Sequence, residues 1–175
     1  NILPETSFLF NHFTKEKQEN LSYEILRQLG YDLEAGRLDE TVHPFAMGIS
    51  IGDVRLTTKY DENDFRSAVF GTIHECGHGL YEQNIDIELD GLPVAVGTSM
   101  GIHESQSLFY EQFVGHHENF WKYNFNLLKS HSPEQFDDVK LEDFLRAINA
   151  SKPSLIRIEA DEVTYPLHTM IRYEI

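Results

Sequence analysis

His74-Glu75-Cys76-Gly77-His78 is the stretch whose residue types and spacing are best suited to chemistry. Two histidines four apart on a helix are offset by about 40° and stand one turn apart, so both rings can reach a single ion. Glu75 is rotated by about 100° from His74, which keeps its carboxylate off the ion but close enough to serve as general base toward a water there. A catalytic zinc takes three protein ligands and leaves a further position open to water. Glu104, 104 − 78 = 26 residues beyond the second histidine, is the predicted third ligand and completes a two-histidine, one-glutamate set. The side chain of His103 diverges from it by about 100°, so only one of the two faces the ion, and His103 is left to contact substrate or to buttress the site. Cys76, about 200° from His74, is expected in the core and not on the metal. Gly77 and Gly79 each cost about 1 kcal/mol in a helix interior, which predicts another backbone packed closely behind the site.

The elements that must position these residues are mostly helical. Leu21, Ile25 and Leu29 recur every fourth residue within residues 13–29, and Gly30 follows as a C-terminal stop. Residues 31–45 read as turn-rich, and then Ile49-Ser50-Ile51 and Val54-Arg55-Leu56-Thr57 flank Gly52-Asp53 as the arms of a β-hairpin. Asp61 can cap a helix with Glu62 and Asp64 in its first turn, running through Phe65, Val69 and Ile73 to about Tyr81. The metal-binding stretch therefore lies on a helix. Gly91, Pro93 and Gly97 argue for a loop over residues 84–101, after which residues 102–125 resume a helical pattern that carries Glu104. Two short helices are predicted at Ser132-Pro133-Glu134 and over residues 141–148, and a final segment opened by Pro153 is kinked or restarted at Pro166. The expected fold is mainly α, a helical zincin-like peptidase core with a small antiparallel β-hairpin.

Composition narrows the partners. Fourteen basic and twenty-nine acidic residues give a net charge of −15, the wrong sign for wrapping nucleic acid or lying on an anionic membrane. No apolar run approaches the roughly 20 residues that span a bilayer. The single cysteine, Cys76, cannot form an internal disulfide, so a reducing, cytoplasmic setting is the expectation. His12, His116, His117 and His131 have no ligand spacing and are assigned structural or solvent-exposed roles.

His43-Pro44-Phe45, Asp53-Val54-Arg55-Leu56-Thr57, the 74–78 stretch, His103-Glu104-Ser105-Gln106 and the run from Ile156 to His168 (IRIEADEVTYPLH) come in the order of five motifs. Together they resemble the carboxypeptidase Taq family of metallopeptidases over most of the chain. The resemblance implies a zinc- or cobalt-activated exopeptidase of broad C-terminal specificity acting on peptides, with a helical, cleft-forming fold and, in the full-length protein, a homodimeric assembly. Family members are longer. Residues 1–175 therefore correspond to one central catalytic segment, with a helical region before it and a Gly-x-x-Gln-Asp-x-His-Trp motif after it. Arg157 matches the arginine that grips the substrate's terminal carboxylate, a task suited to a planar guanidinium. Tyr165 matches the tyrosine that donates to the oxyanion of the tetrahedral intermediate, and His168 follows one helical step later. Asp53, Arg55 and Thr57 alternate along one face of a strand whose backbone can pair with an extended peptide, or else they form a structural network. His43, held extended before Pro44, has a turn-stabilising and a substrate-contacting reading. Two other readings are a zinc endopeptidase in which Arg157 is structural, and a catalytically incomplete segment that binds metal or peptide.

Overall fold

The computed structural model describes residues 3–153, 155 and 160–175. After a 3-10 turn at Ser7–Phe10, helix α1 spans Lys15–Leu29 and closes on Gly30, whose φ of 89° supplies the left-handed stop expected there. Strands β1 (Gly36–Glu40), β2 (Ala46–Ser50) and β3 (Asp53–Thr58) follow. Then come α2 (Arg66–Gln83), α3 (Met100–Leu108), a π-helical segment (Phe109–Gly115) and α4 (Glu118–His131). The chain continues through α5 (Pro133–Phe136) and α6 (Leu141–Ile148) to α7 (Tyr165–Glu174), which has Pro166 in its first turn. No helix among the described residues is long and apolar enough to cross a membrane.

The mainly helical architecture agrees with the sequence, and the structure adds detail in four places. β2 and β3 form the expected antiparallel hairpin, but β1 pairs in parallel with the other side of β3, so the sheet is mixed with order β1-β3-β2. Only Leu38 of β1 is buried, so this short edge strand lacks the run of apolar residues by which a strand is found. As the central strand, β3 has its backbone committed on both edges, which removes the possibility that a substrate peptide pairs with it. α2 begins at Arg66, not at Asp61: the Asp61 carboxylate accepts from the Asn63 amide in a preceding turn, and Asp64 accepts from the Arg66 amide. The helical run after residue 100 is divided by the π-helical segment and by a break before α4, where the His117 ring accepts from the Asn119 amide.

α2 is buried on most of its circumference because it touches both hydrophobic clusters. Phe65, just before it, and Val69, Phe70 and Ile73 join the larger cluster, where Phe13, Phe136, Phe144 and Trp121 meet largely edge to face. One turn later Cys76 and Leu80 join the second cluster with Leu26, Tyr31, Leu38 and Leu56. Cys76 is fully buried and its thiol pKa is pushed up to about 12 by burial, so it packs as the sequence predicts. With its other faces occupied, α2 turns His74 and His78 toward α3.

Candidate metal centre

α3 is set by its N-cap: the Ser99 hydroxyl accepts from the Ile102 amide at 3.2 Å. Its approach to α2 is unusually close. A Cβ at Gly77 would lie 2.6 Å from Ser107 Cα and 2.7 Å from the Gln106 carbonyl oxygen, so the backbone contact predicted from this glycine is present. Gly79, by contrast, meets side chains of Leu56 and Tyr31 and not another backbone.

This contact places Glu104 opposite the two histidines. Glu104 Oε2 is 3.4 Å from His78 Nε2 and 3.8 Å from His74 Nε2, and the three ligand atoms lie within 4.8 Å of one another. The two rings stand 5.1 Å apart at 77°. Two imidazole nitrogens and a carboxylate converging at this spacing fit a divalent ion with a position left for water. Proximity to His78, more than opposing desolvation, lowers the pKa of Glu104, with His74 and Ser107 adding to the effect.

Glu75 lies beside this group with only 6% of its surface exposed, and its Oε2 is a buried oxygen with no hydrogen-bond partner among the described residues. An orphaned carboxylate oxygen is costly unless something outside the fold uses it. Burial raises the Glu75 pKa; His74 and His78 oppose this, while Glu104 and Glu111 reinforce it.

Two carboxylates not singled out in the sequence complete the surroundings. Glu111 Oε2 is 2.6 Å from His74 Nδ1, so the ring lies between Glu104 on one nitrogen and Glu111 on the other. Burial disfavours charge on His74, but Glu111, Glu75 and Glu104 together outweigh it and raise its pKa. Glu82 Oε1 is 2.6 Å from His103 Nε2, and His103 Nδ1 is 2.7 Å from His78 Nδ1. Both ring nitrogens of His103 are therefore engaged, one with Glu82 and one with His78. The signals were periodic: Glu82 continues the stripe of His74 and His78 by four residues, and Glu111 follows Glu104 by seven.

The other residues singled out are spread along the chain. Tyr165 and His168, both half-buried, occupy the first turn of α7, and the Tyr165 amide donates to the Asp161 carbonyl at 2.9 Å. Arg157 lies outside the described residues. Arg55 donates from Nε and a terminal nitrogen to Asp53, both at 2.8 Å, and the pairing with Arg55 lowers the Asp53 pKa. Thr57 accepts from the Phe45 amide and donates to its carbonyl, a contact separate from the Asp53–Arg55 pair. His43 is exposed in the bend before β2. Among the remaining histidines, His116 stacks on Phe70 at 4.2 Å, His131 pairs with Glu24 at 3.1 Å, and His12 is exposed.

Known proteins share this sequence pattern and fold. The chain is 62% identical over 172 residues to carboxypeptidase 1 of Bacillus subtilis and 49% identical to thermostable carboxypeptidase 1 of Thermus thermophilus. Each match covers 98% of this chain and 34% of the relative, so the chain spans about a third of the length of the curated relatives it matches. The solved structure of an M32 carboxypeptidase from Deinococcus radiodurans superposes with a TM-score of 0.96 at 42% identity, over 99% of this chain and 35% of that one. The family model described as carboxypeptidase Taq (M32) metallopeptidase matches residues 2–175, and the chain belongs to that family.

Proposed function

We propose that this chain carries the catalytic metal centre of a zinc-dependent carboxypeptidase that removes C-terminal residues from peptides with broad specificity. The observation that carries the reading is the convergence of His74 Nε2, His78 Nε2 and Glu104 Oε2 beside the orphaned carboxylate oxygen of Glu75. His74, His78 and Glu104 are the residues that hold zinc, with cobalt as a possible substitute. When bound, the ion supplies Lewis acidity toward a peptide carbonyl and makes water acidic enough to lose a proton near neutrality.

Glu75 is the general base: it takes the proton of the attacking water and passes it to the leaving amine. Its burial matters here, because a carboxylate with a raised pKa is a stronger base and then a competent acid at the same pH. Tyr165 donates its phenolic hydrogen to the developing oxyanion, with His168 beside it on the same turn. Arg157 grips the terminal carboxylate of the substrate and makes the enzyme an exopeptidase. His43 and the Asp53–Arg55 pair are solvent-accessible and belong to the substrate side of this reading.

A pair of peptides differing only in a free or amidated C-terminus tests it in the intact protein. Release of the terminal residue should be lost with the amide. Equal cleavage of both, at internal bonds, would replace the carboxypeptidase reading with an endopeptidase one.

A further inference from the structure

The two histidine ligands are held from behind in different ways: His74 meets a carboxylate directly, whereas His78 meets another histidine. We propose that Glu82 and His103 form an ordered hydrogen-bond relay that fixes His78 in the tautomer able to bind metal through Nε2. Both are positioning residues, and the relay rests on the reading of His78 as a ligand.

The order follows from counting hydrogens. A neutral imidazole has one N–H and one acceptor nitrogen, and a carboxylate only accepts. At 2.6 Å from Glu82 Oε1, His103 Nε2 must be the donor, so in the neutral ring Nδ1 is an acceptor. At 2.7 Å from that acceptor, His78 Nδ1 must donate, which leaves His78 Nε2 bare and facing Glu104. The opposite order would place a hydrogen on His78 Nε2 and block the ion. Glu82, as the group that cannot donate, dictates the sequence.

The surroundings are shaped to keep the relay in register. Glu82 and His103 have only 19% and 18% of their side chains exposed. Tyr81 stands edge-on to the His103 ring at 5.0 Å. Gly97 closes over the bond between them: a Cβ there would lie 2.6 Å from His103 Cδ2 and 3.3 Å from Glu82 Oε1. Gly97 has no positive φ, so the missing side chain answers to space and not to backbone conformation. A Cβ at Gly48 would lie 3.1 Å from Glu82 Oε2 on the other side.

The test is a zinc competition titration on the metal-free intact protein, with thermal unfolding of each metal-free variant alongside. His103→Ala and Glu82→Ala should each weaken zinc binding by about 10- to 100-fold with the metal-free unfolding temperature retained. Because Glu82 acts through His103, the double variant should bind no more weakly than His103→Ala alone. Nitrogen chemical shifts of the zinc-loaded protein should show His103 protonated at Nε2. Unchanged affinity in both single variants, multiplying losses in the double variant, or the other tautomer would overturn the relay. Should an alanine variant unfold, Gly97→Ala takes its place: it should weaken zinc binding too, and full affinity counts against the relay. If the unaltered protein binds no zinc, or His78→Ala binds it as tightly, the ligand assignment fails first and the relay with it.

Discussion

The α2–α3 wall and the first turn of α7 carry the two halves of the proposed reaction, and they are built differently. Ten residues of α2 are buried, the backbone of α3 rests against Gly77, and His74 and His78 each have a partner behind the ring. α7 has no buried residue. Its start is tied down by Asp161, which accepts from the hydroxyls of Ser151 and Thr164 and the amides of Lys152, Val163 and Thr164. The proposed metal ligands are thus preorganised by packing, in which a small displacement is resisted by many contacts. The proposed oxyanion side hangs instead on the polar anchors that Asp161 accepts from.

The sharpest way to separate the two is Glu75→Gln, which preserves shape and removes the base. It should leave metal affinity near its original value while kcat falls by about 10²–10⁴-fold; comparable turnover in the variant would sink the assignment. Tyr165→Phe should lower kcat by about 10²–10³-fold with metal affinity again unchanged, since Tyr165 is not one of the three converging side chains. A loss of metal in that variant would mean that the two halves are not independent.

Gly77→Ala probes the packed wall itself. Overpacking costs about 1–3 kcal/mol, more than the roughly 1 kcal/mol of helix propensity that alanine returns. The unfolding temperature should therefore fall, and a rise would show that the helices separate easily.

The smallest effect is expected from acid. Burial works to raise the Asp161 pKa, but its hydroxyl and amide donors bring it down from 3.8 to about 2. A depressed carboxylate contributes stability above its unfolded value, and that contribution fades as pH falls from 3.8 toward 2. Protection of the Thr164 and Tyr165 amides, taken relative to their intrinsic exchange rates, should fall over that interval, and Asp161→Asn should remove that fall.

The convergence of His74, His78 and Glu104 was legible because it depends on local periodicity. His74 and His78 needed only the helical repeat, and Glu104 needed only a second helix at a plausible distance. Gly77 announced a close approach because a helix tolerates glycine poorly without such a reason. Glu82 and Glu111 were also periodic with the ligands, yet spacing alone does not distinguish a buttressing glutamate from a solvated one. The parallel pairing of β1 and the central position of β3 were not legible either, since pairing joins residues such as Leu38 and Leu56 that are far apart in sequence. That pairing decided that β3 has no free edge for a peptide.

What this sequence determined by itself is which residues share a helical face, because the backbone repeat is the same wherever the helix sits. Only the tertiary structure decided what each face meets: Glu104 in front of both rings, Glu111 behind His74, and His103 with Glu82 behind His78. The reason is physical. Hydrogen bonds and metal ligation act over about 3 Å, and that separation is set by how closely two helices pack, which no spacing along one chain specifies.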